Sequence, residues 1–367
     1  MDFQITEEQN LIKQSIQEFV QETVDNDGDS IENFKSLADI EFLGIFLPEK
    51  YGGADSDFTS FILSIEEIAK DSASLALLYA THCCLAEYSI HRWGSEELKQ
   101  KYLPVLCSGS KIGGFAYNEG CPGVDWALIS STAEENGEDY IINGKKTYLV
   151  NAEENTLFIV FAHTKENELS AFVVDGETEG VSFGPEHQKM GLEGACMSDV
   201  TLHNVKIPRA NLIGKQGQGK AIADAAMSMQ NVALGGIAVG ISQSALDKSI
   251  TYGKERVQFG RPIIKFEALQ EMIGKMAVNT EAARLLVYKA AGLKDQDKPC
   301  AMEAEIARYF AQTTGELACI DAIQIHGGYG YSKDLGVDRL LRDIKGIGLV
   351  DALENPIVIQ IAGKATD

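Results

Sequence analysis

Residues 222 to 325 hold three long Ala-rich runs: IADAAMSMQNVALGGIAVGISQSALDKSITYGKERVQ, ALQEMIGKMAVNTEAARLLVYKAAGLK and AMEAEIARYFAQTTGELACIDAIQI. Each is amphipathic and too long to stand alone as a surface helix in water. The three therefore pack on one another as an antiparallel bundle. Residues 1–111 also read as helical. Thr6 and Gln9 form a capping box, followed by an apolar stripe of Leu11, Ile12, Ile16, Phe19 and Val20. The segment SFILSIEEIAKDSASLALLYATHCCLAEYSI predicts one or two largely buried helices. Residues 112–217 change period. Asn143-Gly144 between DYII and KKTYLV predicts a hairpin, and TLFIVFAHT, LSAFVVDG, EGVSFG and SDVTLHNVKI predict further strands. Helices, strands and helices in separate zones favour an α+β fold: an N-terminal helical domain (1–111), a small antiparallel β domain (112–217) and a C-terminal helical bundle (218–367).

The net charge is −22, from 54 acids and 32 bases. That balance argues against nucleic acid and against an anionic membrane surface as partners. Seven cysteines, with no Cys-x-x-Cys pair, read as reduced thiols of a cytoplasmic protein. The acidic start MDFQITEEQ lacks a secretory core, and no apolar run looks long enough to span a membrane.

Several stretches bear on chemistry. Gly214-Lys-Gln-Gly-Gln-Gly219-Lys220 approaches a phosphate-cradling loop, but Ala221 replaces the metal-binding hydroxyl, so it reads as a β-to-helix connection. Gln324-Ile-His-Gly327-Gly328 closes a long helix. Its glycines fit either a close ligand approach or a plain C-cap. Arg256-Val-Gln-Phe259-Gly-Arg-Pro offers a cation and a ring at a helix end. FAYNEGCPGVD, residues 115–125, lies at a domain junction, a common place for a cleft. His82, in an apolar helix with no acid nearby in sequence, reads as a core histidine. Asp351 ends an apolar run with Glu354 three residues on, which also fits a helix N-cap.

Taken in order, LPEKYGG, WGSEELKQKYLPVLCSG, NGKK, the Arg256 segment, QIHGGYG and RLLRDIK resemble the acyl-CoA dehydrogenase family over nearly the whole chain. The resemblance implies a helical N-domain, a β middle domain and a C-terminal four-helix bundle. It implies a homo-oligomer, tetramer or dimer, holding FAD at a subunit interface. The implied reaction removes the α-proton of an acyl thioester with a carboxylate and passes a β-hydride to flavin N5. An electron-transferring flavoprotein usually reoxidises the flavin. Arg256, Phe259, Gln324, Gly327 and Gly328 match the family's adenine and pyrophosphate contacts. Tyr117, Asn118, Tyr148 and Val150 occupy flavin-ring positions, where Tyr148 replaces a tryptophan and Val150 a threonine.

The substrate side departs further. Val124 replaces a serine. Ser228 and Asn231 replace an Asp-x-x-Arg pair that lies near the thioester and CoA in relatives, and no lysine or asparagine supplies a bidentate donor. Asp351 aligns with the catalytic glutamate, one methylene shorter, while Gln230 occupies the alternative base position. Glu354 and Glu119 stand next in line as bases. Two functions fit. One is dehydrogenation of an unusual thioester, on CoA or on an acyl carrier protein as in specialised metabolism, with Asp351 as base. The other is an altered or silent member acting as a structural partner in a hetero-oligomer or in a different flavin reaction.

Overall fold

The computed structural model describes residues 5–24, 30–120, 128–153, 155–165, 168–350 and 354–366. The chain starts with α1 (Glu7–Thr23), α2 (Ser30–Asp39), α3 (Phe58–Asp71) and α4 (Ala73–Ala80). The Thr6–Gln9 capping box forms as expected. Ile16, Phe19 and Val20 are buried, but Leu11 is exposed. Five residues before Ile16 is roughly 140° around the helix, so Leu11 falls on the far face. Ser72 ends α3 and caps α4 by accepting from the Leu75 N–H at 3.2 Å. The chain continues from α4 through a π-helical turn, Thr81–Glu87, into α5 (Tyr88–Trp93) and then α6 (Glu96–Cys107).

The π-helical turn corrects the reading of His82. Its wider spacing brings Glu87, five residues on, within 3.2 Å of His82 Nε2. The Gly113 N–H donates to His82 Nδ1 at 2.8 Å, so Nε2 carries the proton toward Glu87. Both side chains are fully buried, so His82 is a core residue with an acid beside it.

Eight strands follow: β1 (Ile112–Ala116), β2 (Thr132–Asn136), β3 (Asp139–Val150), β4 (Thr156–Lys165), β5 (Glu168–Asp175), β6 (Val181–Phe183), β7 (Met197–Pro208) and β8 (Leu212–Ile213). They form one sheet in the order β6-β7-β3-β2-β4-β5-β8, with β1 parallel to β4. The hairpin expected at Asn143-Gly144 lies elsewhere. β2 and β3 turn at Asn136-Gly137, where Gly137 has φ +62°, and Asn143-Gly144 sits inside β3 at a bulge against β7. There Asn143 Oδ1 accepts from the Asn204 N–H at 2.8 Å, and a Cβ on Gly144 would fall 1.9 Å from Ser131 Oγ.

The remaining elements are α7 (Gly219–Glu255), β9 (Val257–Gln258), β10 (Arg261–Pro262), α8 (Glu267–Asp295), α9 (Ala301–His326), α10 (Gly328–Tyr331), α11 (Val337–Leu349) and α12 (Glu354–Thr366). The near-miss phosphate loop is the connection into α7, and its Lys220 pairs with Asp224 at 2.6 Å. Contrary to the sequence expectation, α7 is long and apolar enough to cross a membrane. Its most apolar window is 89% buried, because α3, α8 and α9 surround it, as for a core helix. The described cysteines are all free thiols, and all but Cys196 are buried.

Gly144→Ala is expected to lower the melting temperature by several degrees, since overpacking typically costs about 1–3 kcal/mol. Thermal unfolding measures it, and an unchanged midpoint would show that Ser131 moves aside freely.

Candidate active site

A cleft of about 920 Å³ opens where the π-helical turn, the sheet, α9 and α11 meet. Thr81 and Leu85 come from the turn, Phe115 and Tyr117 from the end of β1, Gln312 from α9, and Leu349 and Val350 from the end of α11. The lining is mostly apolar.

The wall from β3 depends on a second bulge. The pairing of β3 with β7 shifts between Lys146 and Leu149, and Tyr148 takes φ +55°. Thr147, Tyr148, Leu149 and Val150 therefore all border the cleft, while the Leu149 side chain packs into the core behind the sheet with Tyr140 and Ile142. The Tyr148 ring lies outermost, stacked on His187 at 4.2 Å. Asp199 supports both, accepting from the Tyr148 N–H at 3.3 Å and bonded to His187 Nε2 at 2.8 Å. Burial tends to raise the Asp199 carboxyl, but hydrogen bonds from Lys145 and His187 hold it below its ordinary value.

Beneath this wall lies a buried ion pair. Lys146 Nζ donates to Glu119 Oε1 at 2.7 Å and to the Phe161 carbonyl at 2.6 Å. Glu119 also accepts from the backbone N–H and hydroxyl of both Ser130 and Ser131. Burial alone would raise the Glu119 carboxyl. The Lys146 charge and the hydrogen bonds from Lys146, Ser130 and Ser131 outweigh it and pull the pKa down to about 2. Burial brings Lys146 down to about 8. Glu119 is thus a structural anion and a poor proton acceptor, which removes it as a reserve base.

A second cavity of about 540 Å³ lies between the C-terminal ends of α7 and α9. Arg256, Gly327 and Gly328 line it with His326 and Tyr252, whose rings stack at 4.5 Å. Gly327 has φ +58° and ψ −130°, a conformation open to glycine, and its backbone faces open space.

The structure thus divides the expected contacts. Tyr117, Asn118, Tyr148 and Val150 line the cleft, while Arg256, Gly327 and Gly328 line the second cavity. Phe259 sits at the turn between β9 and β10 with 94% of its surface exposed. Gln324 is exposed on the last turn of α9. Ser228 and Asn231 are not among the cleft-lining residues; Asn231 is buried and its Oδ1 accepts from Arg308 Nη1 at 2.8 Å. Gln230 is buried, with Nε2 3.5 Å from Thr81 Oγ1. Val124 and Asp351 lie outside the described residues, as do the side chain of Glu354 and any cap it shares with Asp351.

Sequence reasoning passed over Thr147, the Lys146 partner of Glu119, the His187–Asp199 support and Arg308. Arg308 left a trace: it interrupts the buried small-residue face Ala304, Ala307, Ala311 and Gly315 of α9.

Models of the acyl-CoA dehydrogenase N-terminal, middle and C-terminal domains match residues 6–110, 114–205 and 217–351 in chain order. The chain belongs to the acyl-CoA dehydrogenase family. An acyl-CoA dehydrogenase of Bacillus subtilis is 36% identical over 353 residues, 93% of each chain. Butyryl-CoA dehydrogenase from Megasphaera elsdenii superposes with TM-score 0.96 at 32% identity over 100% of both chains. The prolyl acyl carrier protein oxidase AnaB superposes with TM-score 0.94 at 27% identity, covering 99% of this chain and 100% of its own. The fold expected from the resemblance is the one observed, and this acyl-CoA dehydrogenase family member is an oxidoreductase acting on CH–CH bonds.

The Glu119 shift sets an acid limit. Its stabilisation is present above the ordinary value of 4.5 and is lost as pH falls through about 2. Lys146→Met is expected to destabilise the family member by roughly 3–5 kcal/mol at neutral pH, by stranding a buried carboxylate. Thermal melts from pH 7 to pH 2 check both. A variant as stable as the parent throughout would show that the pair contributes nothing.

Proposed function

We propose that the protein is an FAD-dependent dehydrogenase of an acyl thioester, with Asp351 as the base that takes the α-proton. The observation that carries this reading is the state of the carboxylates around the cleft. Glu119 is saturated by Lys146 and two serines, and Glu316 on the wall is engaged by Lys345. Gln230 offers an amide, which cannot serve as a base at neutral pH. Asp351 directly follows Val350, the wall residue at the end of α11. A thioester α-proton is only weakly acidic, so a base set against a mostly apolar wall suits its removal.

The two cavities suit the two ends of FAD. Thr147 holds a buried hydroxyl with no hydrogen-bond partner among the described residues, beside Tyr148 and Val150. Arg256 and the open backbone at Gly327 and Gly328, where an added Cβ would meet nothing within 4 Å, suit a pyrophosphate. When bound, FAD accepts the hydride from the β-carbon. Tyr148, stacked on His187, lines the cleft and keeps 62% of its surface exposed. Phe259 would be costly to leave in solvent, and Val278 on α8 and Leu317 on α9 are 69% and 57% exposed. These favour a homo-oligomer in which one copy completes the other's cofactor site.

The substrate side favours an acyl group on a carrier-protein arm over free CoA. Asn231 presents no cation to the cleft and its amide oxygen is taken by Arg308. The likeness to a prolyl carrier-protein oxidase points the same way. An electron-transferring flavoprotein is the proposed acceptor, as the family resemblance implies.

Purified protein is expected to be yellow. Its flavin is expected to bleach anaerobically with butyryl, isobutyryl or prolyl thioesters of CoA or pantetheine. Colourless protein that FAD cannot reconstitute would favour a silent structural partner instead. Asp351→Asn is expected to slow bleaching by about 10²–10⁴, as for loss of a general base. Bleaching at the parent rate would remove Asp351 from the role.

A further inference from the structure

Helix α9 carries three polar residues at four-residue spacing: Arg308, Gln312 and Glu316. That spacing stacks them along one face of the helix. The outer two are engaged. The Arg308 guanidinium donates to Asn231 Oδ1 at 2.8 Å and to the Ile347 and Val350 carbonyls at 3.4 and 2.5 Å. Glu316 accepts from Lys345 on α11. Between them Gln312 is only 7% exposed, and no described residue hydrogen-bonds its side-chain amide. Its seat is made by α11. A Cβ on Gly348 would fall 2.1 Å from Gln312 Nε2, so the amide occupies the space that any side chain there would need. Gln312 and Gly348 both line the cleft, and the next lining residues along the chain, Leu349 and Val350, are apolar.

We propose that Gln312 determines acyl specificity: its amide hydrogen-bonds a neutral polar group on the acyl chain, a carboxamide or a hydroxyl. The proposal rests on the reading of the protein as a thioester dehydrogenase, but not on which carboxylate is the base. A hydrocarbon chain against Gln312 would strand a buried amide, whereas a polar chain satisfies it. A glutamine amide both donates and accepts, and a carboxamide returns both bonds. The charge of the lining favours a neutral group over an anion. Its two lysines, Lys189 and Lys345, are already held by Glu186 and Glu316. The positions assigned to the flavin ring lie on the sheet wall, at Tyr117, Asn118, Tyr148 and Val150. Gln312 stands on the helical wall, which leaves its amide to the acyl group.

The test uses full-length, FAD-loaded protein and pantetheine thioesters in shape-matched sets. Succinamoyl and glutaramoyl carry the carboxamide, isocaproyl and isoheptanoyl are their apolar isosteres, and succinyl and glutaryl are their anionic ones. Anaerobic bleaching at low thioester concentration compares them. In the parent, at least one carboxamide is expected to outrun its apolar isostere by about 10- to 100-fold, and to outrun its carboxylate too. Gln312→Leu is expected to bring the carboxamide-to-isostere ratio to within about threefold of unity, with the FAD dissociation constant also within about threefold of the parent. Gly348→Ala, which displaces the amide, is expected to lower the ratio as well. A parent with no carboxamide preference in either set overturns the proposal. So does a preference that survives Gln312→Leu, or a carboxylate preferred to the carboxamide. Loss of the preference together with an equal loss of FAD affinity also overturns it, because Gln312 then serves the cofactor. If Gln312→Leu does not fold, the parent sets and Gly348→Ala decide by the same criteria. Calorimetry with the unreactive amide analogues, in which NH replaces the thioester sulfur, separates this proposal from the dehydrogenase reading. A Gln312-dependent carboxamide preference in binding, without bleaching by any thioester, sinks only the dehydrogenase reading. Bleaching without such a preference sinks only the role of Gln312.

Discussion

The buried contact between Lys146 and Glu119 is the constraint on which the cleft depends. It joins the turn after β1 to the middle of β3 and, through the Phe161 carbonyl, to β4. A desolvated charge of either sign would be untenable alone, so the two segments stay together or both pay for separation. β3 is pinned at Lys146, and in the bulge that follows Thr147 to Val150 border the cleft and Tyr148 stacks on His187. The same pairing strips Glu119 of basicity. The ion pair therefore both braces the wall and occupies Glu119.

The opposite wall is set by close helix approach. A Cβ on Gly240 of α7 would fall 2.4 Å from the Glu66 carbonyl of α3, and one on Gly315 of α9 would fall 2.5 Å from Ser242 Oγ of α7. These helices touch along small residues, which leaves little room for sliding. Into that packed layer the chain inserts Arg308, a cation whose described hydrogen bonds go to an amide oxygen and two helix-end carbonyls. The end of α11 is thereby tied to α7 and α9. The loop at Gly191 and Leu192 is held to α11 as well: the Leu192 N–H donates to Asp343 at 2.6 Å, and Gly191 leaves no space for a side chain against Arg342. Wall, loop and the end of α11 are thus tied together.

Much of this was legible in the chain itself. Hydrophobic period and length announced the long helices, and turn residues between apolar runs announced the sheet. The ordered motifs pointed to the family, which the domain models and relatives show. The misreadings share one cause. Two Asn-Gly pairs lie seven residues apart, and local propensity does not tell a hairpin turn from a bulge; pairing with β7 decides. His82 looked free of acids because a π-helical turn changes which residues are neighbours. Leu11 looked like core because a stripe was read one residue too wide.

The sequence by itself determined the class of fold, the family and the identity of the carboxylate that follows Val350, because these follow from the order and chemistry of residues along one chain. Only the tertiary structure decided which acids are already neutralised, which side chains share a cavity, and that a lone arginine in an Ala-rich helix meets the carbonyls at the end of α11. Those are relations between segments far apart in the chain. Burial and charge pairing take their value from neighbours that no local pattern encodes.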